Sequence, residues 1–253
     1  MESSADAFAR LAHDLHDQSN VEETLDKIVE SAAAVPLDPA RLDPLTASSR
    51  GYGELVAAAL ADGAKSLVLG LGGTATMDAG SGFLEVVPEL RVPTLAACDV
   101  SATLAEAPRV FGPQKGAGPS EIAELEQRLR ELEALAPFRD EAFSGAAGGL
   151  GAALASLGAD LVPGAPYVLD AVGFDASTFD LVVTGEGRVD ATTALGKAPG
   201  EVVHRTGTTR CVVFGGVVER DVPGAETVAL SGDPSRARDD LVALGRDLAS
   251  RQG

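Results

Sequence analysis

DLVVTGEGRVDATTALGKAP, residues 180–199, is the stretch on which the fold turns. It opens as a short apolar run, DLVVTG at 180–185, of the kind that parallel sheets bury. It then passes into glycine and charge instead of a hairpin turn. A strand whose carboxyl end opens into a polar, glycine-bearing segment ahead of a helix is the sequence form of an open α/β sheet, where ligands collect at the strand ends. Glu186, Arg188, Asp190 and Lys197 follow the strand, with Thr192 and Thr193 among them. Two carboxylates and two cations suit phosphoryl transfer: cations neutralise phosphate charge, a carboxylate holds a divalent ion, and another stands near the attacking hydroxyl. A solvated, salt-bridged turn is the plainer reading of the same residues.

Working outward, SLVLGL (66–71), PTLAAC (93–98), RCVVFGG (210–216) and ETVAL (226–230) are further buried-strand runs. Helices are expected between them. One starts near Ser120, a candidate N-cap, and carries Ile122, Leu125, Leu129, Leu132 and Leu135 on one face. GAAGGLGAALASLGAD reads as a second, whose glycines point to a backbone or ligand approaching closely at its N-terminal end. A third, from about Pro234 to Arg251, aligns Leu241, Leu244 and Leu248. Residues 1–33 carry two apolar stripes at helical spacing, Phe8, Leu11 and Leu15, then Val21, Leu25, Ile28, Val29 and Ala32, and are expected to form a helical arm. Packing against the body or a partner is the simple role for that arm. His13 and His16 lack the companion ligands that a metal site requires. Residues 34–253 are then an α/β region, in one piece or two lobes.

Twenty Lys+Arg against thirty-eight Asp+Glu give a net charge of −18, a field that repels nucleic acid and anionic membranes. No apolar run approaches the ~18 to 20 residues of a membrane span. The first residues show no basic segment leading into an apolar core, so no secretory signal is expected and the cytoplasm is the default. Cys98 and Cys211 lie inside strand-like runs and read as small buried hydrophobes.

In an acidic chain with four lysines, the placed cations are informative. FGPQKGAG (111–118) stands Lys115 on a Pro/Gly loop before a helix, a candidate anion site beside Gln114. GLGGTATMDAGSG (70–82) offers Gly72, Gly73 and Thr74 as a donor-rich loop with Asp78 inside it. It is not a Walker loop, because no GK[ST] ends it. Asp99, directly after a strand in ACDV (97–100), is a cap or a ligand carboxylate. GxSxG and HExxH are both absent, which removes the serine-hydrolase and zinc-protease readings.

Taken in series, DPLTASSRGYGELV, LGGTATMDAGSG, ACDV, FGPQKGAG, SGAAGGLGAAL and VVTGEGRVDATTALGKAP resemble the bacterial glycerate kinases that phosphorylate D-glycerate with ATP. The resemblance covers about Ser31 to Gly216. It implies a two-lobed, parallel-sheet α/β enzyme with substrate in an interdomain cleft, ATP and Mg2+ as cofactors, and neither nucleic acid nor membrane as partner. Position by position it points to Ser49, Arg50, Gly72, Gly73, Thr74, Asp99, Gln114, Lys115, Arg188 and Gly196 as binding residues. Asp78, Asp190 and Lys197 are its catalytic candidates, with Asp190 or Asp78 next to the glycerate hydroxyl, and Glu186 is its metal ligand. The family's opening strand and its PDSFK and ADGGEG segments have no counterpart here. Met77 and Ala79 stand where the family pattern has Asn and Gly, and the stretch from Gly82 to Val92 is shorter than the family's. The expected consequences are an exposed edge on the first sheet, a tendency to homodimerise, and a second functional reading: a kinase-derived binding or regulatory protein that no longer turns over.

Overall fold

In the computed structural model, residues 42–191, 193 and 197–251 are described. The arm expected at 1–33 lies outside them. The chain divides into two compact units, residues 1–163 and 164–253.

The described part of the first unit holds α1 (Arg50–Ala61), β1 (Leu67–Leu71), α2 (Ser81–Val86), β2 (Thr94–Cys98), α3 (Ala107–Phe111), α4 (Pro119–Glu131), α5 (Ala146–Ser156) and β3 (Asp160–Pro163). Its three strands pair in parallel in the order β1-β2-β3. The buried side of this sheet, Leu69, Leu71, Ala96 and Cys98, packs with Val56 of α1, Phe83 of α2 and Leu150, Ala153 and Leu154 of α5. Phe83 is fully buried, and a side chain of that size is worth about 1.5–3 kcal/mol when taken from water. Along β1 the alternate side is open: Val68 is 56% exposed. Among the described strands β1 pairs on one side alone.

The second unit holds α6 (Gly164–Ala171), β4 (Leu181–Val189), α7 (Ala198–Thr206), β5 (Arg210–Val218), β6 (Glu226–Ala229) and α8 (Ala237–Ser250). Its strands, also all parallel, run β4-β5-β6. Here the central strand is covered on both faces. Cys211 and Val213 pack with Val202 and Val203 of α7, while Val212 packs with Leu244 and Leu248 of α8. Leu241, placed on that apolar stripe by the sequence, is 42% exposed.

Three elements differ from expectation. β4 continues four residues past the anticipated DLVVTG, because β5 continues as a parallel partner through Gly215 and Gly216 to Val218; Glu186 and Arg188 therefore lie on the strand and not in a turn. β3 falls in what reads as the end of the glycine-studded helix. That helix stops at Ser156, and Gly158, with φ +86°, reverses the chain into a four-residue strand too short to carry a period. α4 begins one residue before the expected cap. The Gly118 N–H donates to the Glu121 carboxylate, at 2.6 Å, in place of a serine cap.

Candidate functional site

In the first unit, six of the residues singled out in the sequence meet at one cavity. Gly72, Gly73 and Thr74 from the loop after β1, Asp99 from the end of β2, and Gln114 and Lys115 from the Pro/Gly loop line a space of about 70 Å3, closed by Phe111 and by Ala147 and Gly148 at the start of α5. Parallel pairing of β1 with β2 brings the first two loops side by side at the carboxyl ends of their strands. Pro113–Lys115 forms a single 3-10 turn ended by Gly116 at φ +91°, and this turn delivers Lys115. Gly148 answers the expectation of a close backbone approach. A Cβ there would sit 1.9 Å from the Thr76 carbonyl oxygen, so the α5 start and the glycine-rich loop lie backbone against backbone.

Lys115 is buried, 6% exposed. Its ammonium donates to the Thr76 carbonyl at 2.7 Å and the Thr74 hydroxyl at 3.3 Å. Loss of water lowers its pKa to about 8, and the charges of Asp99 and Asp78 oppose that shift. The result is a cation held among neutral oxygens at the wall of a small cavity. Its remaining donor capacity is suited to a carboxylate or a phosphate oxygen.

Asp78 is arranged differently. Its Oδ2 accepts from the Ser49 N–H and hydroxyl, both at 2.8 Å, and from the Gly82 N–H at 3.2 Å; Oδ1 accepts from the Gly80 N–H at 3.1 Å. The Ser49 hydroxyl in turn accepts from the Phe83 N–H at 2.9 Å. Carboxylate and hydroxyl together tie the start of α1 to the first turn of α2, where an anion also favours the helix dipole. Neighbouring Met77 is 1% exposed and packs with Ala107, Ala117 and Leu125. Ala79 adopts φ +51°, a conformation costing an alanine about 1–2 kcal/mol, and its fully buried methyl against Leu104 and Leu129 offsets part of that strain. Arg50 pairs with Glu54 and Glu85 on an exposed surface, at 3.0 and 2.9 Å.

In the second unit, Glu186 on β4 is held by two partners. The Thr193 hydroxyl donates to Oε1 at 2.5 Å, and the Lys197 ammonium lies 3.4 Å from Oε2 at the start of α7. Thr193 has no exposed surface, and its oxygen also accepts the Asp190 N–H at 3.0 Å. One hydroxyl thus fixes both the loop and the carboxylate. The sequence alone gives this threonine no role, since a threonine in a turn carries no signature of its own. Asp190 lies at the carboxyl end of β4 and lines a space of about 430 Å3 with Arg220 and Asp221. Arg188 projects to the surface and pairs with Glu219. Gly196 lies outside the described residues.

No group of three or more His, Cys, Asp or Glu side chains gathers closely enough to hold a metal by itself among the described residues. Magnesium on a nucleotide needs one or two carboxylates besides phosphate oxygens and water, and Glu186, held by one hydroxyl and one ammonium with lone pairs to spare, is a donor of the type that smaller requirement asks for. Both cysteines are buried, and burial pushes the Cys98 thiol up to about 12, in keeping with a small buried hydrophobe.

The chain matches the glycerate kinase family over residues 12–89 and 87–232. The match thus reaches into the stretch 1–33 that had been set apart from the family. It is 36% identical to the glycerate kinase of Bacillus subtilis over 88% of this chain and 75% of that one. With the glycerate 2-kinase of Escherichia coli it is 36% identical over 68% of this chain, and it spans 57% of the length of that relative. A solved structure described as a "putative glycerate kinase 2" from Salmonella typhimurium LT2 superposes with a TM-score of 0.62 at 30% identity, covering 87% of this chain and 72% of that one. The Bacillus alignment runs over 289 positions, more than the 253 residues here, so that relative carries segments inside the match that this chain lacks. The two matched family stretches meet at residues 87–89, within the span read as shortened, where a loop leads directly from α2 to β2.

Proposed function

This chain belongs to the glycerate kinase family, and from that premise we propose that it transfers the terminal phosphoryl group of ATP to a hydroxyl of D-glycerate. The observation that carries the reading is the convergence of Gly72, Gly73, Thr74, Asp99, Gln114 and Lys115 on one small cavity in an otherwise acidic protein. Lys115 binds the glycerate carboxylate there, with Thr74 and the loop N–H groups as neutral donors. Glu186 would hold the magnesium of the nucleotide, whose chemistry would be to draw charge from the transferred phosphoryl group. Lys197 neutralises the phosphate oxygens, and Asp190 accepts the proton that the attacking hydroxyl loses. Thr193 holds Glu186 in one rotamer as an acceptor. Asp78 takes no part in the chemistry: with four donors on its two oxygens, it is a structural knot. Ser49 serves the same knot, and the paired, exposed Arg50 and Arg188 lie outside the assignment.

The test is glycerate-dependent ADP release by the purified full chain with Mg-ATP, run beside calorimetric titration of each ligand. Release that requires glycerate supports the kinase. A folded sample that binds glycerate or nucleotide without release replaces it with a kinase-derived binding protein.

A further inference from the structure

The first unit contains a second cavity, of about 170 Å3, that shares no lining residue with the Lys115 cavity. Leu104 and Leu129, 1% and 5% exposed, form its apolar floor. Around the floor stand Arg109 from α3, Arg130 from the last turn of α4, Arg139 from the segment after it, and one carboxylate, Glu126.

Glu126 is spoken for. Arg109 grips it with two N–H groups, Nε to one carboxylate oxygen and Nη2 to the other. Arg130 and Arg139 form no direct ion pair among the described residues, whereas most other arginines of the described chain do, and the Arg130 charge reaches Glu126 only through space. Arg139 is anchored: its Nη2 donates to the Arg130 carbonyl oxygen at 2.7 Å, which fixes the guanidinium at the end of α4 and leaves its other donors unused. Three guanidinium groups and one carboxylate give the cavity a charge of +2, in a chain whose net charge is −18. Like charges gathered in one concavity repel, and an anion between them turns the repulsion into attraction. Guanidinium forks match a phosphate or carboxylate edge with two parallel hydrogen bonds. At roughly 30 Å3 per water, the space equals about six waters, room for a phosphate group or a short diacid.

We propose that this cavity binds a small dianion, a phosphate group or a short dicarboxylate, with Arg130 and Arg139 as its two cationic grips and Leu104 and Leu129 against its carbon side. The site is independent of the kinase reading, since none of its residues has a part in the proposed transfer.

The test follows the arginine Nε–H signals of the full chain by NMR at low ionic strength during titration with inorganic phosphate, succinate or acetate. Phosphate or succinate shifts two arginine signals saturably, and acetate at the same concentration does so at least tenfold more weakly. Stronger binding of phosphate identifies the phosphate source, and stronger binding of succinate the dicarboxylate source. Arg130→Gln with Arg139→Gln weakens the dianion at least tenfold. Should that double variant fail to fold, Arg139→Lys keeps the charge, loses the planar fork, and weakens the dianion several-fold. Absence of saturable shifts up to about 10 mM of either dianion, a millimolar Kd being the weakest useful site, overturns the proposal. Unchanged affinity in the folded variants does the same.

Discussion

Asp78 and Glu186 stand in similar sequence settings, each in a glycine-rich stretch close behind a buried strand run, and the structure gives them opposite surroundings. Asp78 receives four donors, three of them backbone N–H groups. Glu186 receives one hydroxyl and one ammonium, and those partners are side chains on a loop and a helix start. A carboxylate bound by backbone donors is locked to the fold, and moving it means unmaking two helix starts. A carboxylate held by side chains is positioned and still has lone pairs for a cation. The distinction separates structural from chemical aspartates and glutamates where motif spacing alone cannot.

That contrast can be broken by experiment. Asp190→Asn and Lys197→Ala, on the side assigned to chemistry, each lower turnover by about 10^3-fold or more with thermal unfolding little changed, in line with losses of proton acceptors and phosphate-facing cations. Steady-state kinetics beside a melting curve reads both. Asp78→Ala, on the structural side, leaves four donors without an acceptor and costs about 3–4 kcal/mol of stability, seen as a lowered urea midpoint. Full stability in that variant would erase the distinction. Thr193→Val removes the donor to Glu186 and lowers turnover about 10- to 30-fold, one charge-assisted hydrogen bond's worth, while Thr193→Ser restores most of it.

Lys115 adds a pH test. Its pKa in the fold is about 8, below the ordinary 10.5, so its charge disappears as pH rises through 8 and the KM for glycerate climbs by about two- to tenfold between pH 8 and 9. Stability moves the other way. Between those two values the unfolded chain binds more protons than the folded one, so this residue's contribution to stability grows as pH rises across that window. Lys115→Gln removes both trends, and a KM for glycerate that stays level through pH 8 to 9 would argue against Lys115 as the carboxylate partner. Arg50→Ala has the smallest expected effect, under about 1 kcal/mol, as befits an exposed pair of ion contacts.

Much of this architecture is legible in the sequence. The apolar runs at 66–71, 93–98, 180–185, 210–216 and 226–230 all become parallel strands, because buried strands write themselves as continuous β-branched or aliphatic stretches. β3 is not legible: four residues ending in proline, set after a helix, have neither length nor period. The extension of β4 to Val189 is decided by its neighbour β5, which no local window contains. In the first unit Gly72, Gly73, Thr74, Asp99, Gln114 and Lys115 meet at one cavity because strand ends bring their loops together, while Ser49, Arg50 and Asp78 lie outside its lining. The role of Asp78 is set by Ser49, 29 residues away, and that of Thr193 by a hydroxyl direction; neither is a property of spacing. The conformational objection to Ala79 is legible, and so is its answer once the buried methyl is seen.

The central claim is that the second unit's carboxylate cluster performs the transfer while Asp78 maintains the fold. Its most direct test is glycerate-dependent ADP release by wild type and Asp190→Asn side by side, both verified as folded. The account predicts release from wild type and at least a thousandfold less from the variant, about 4 kcal/mol of lost transition-state stabilisation. Equal release from the two proteins would contradict it, as would none from folded wild type.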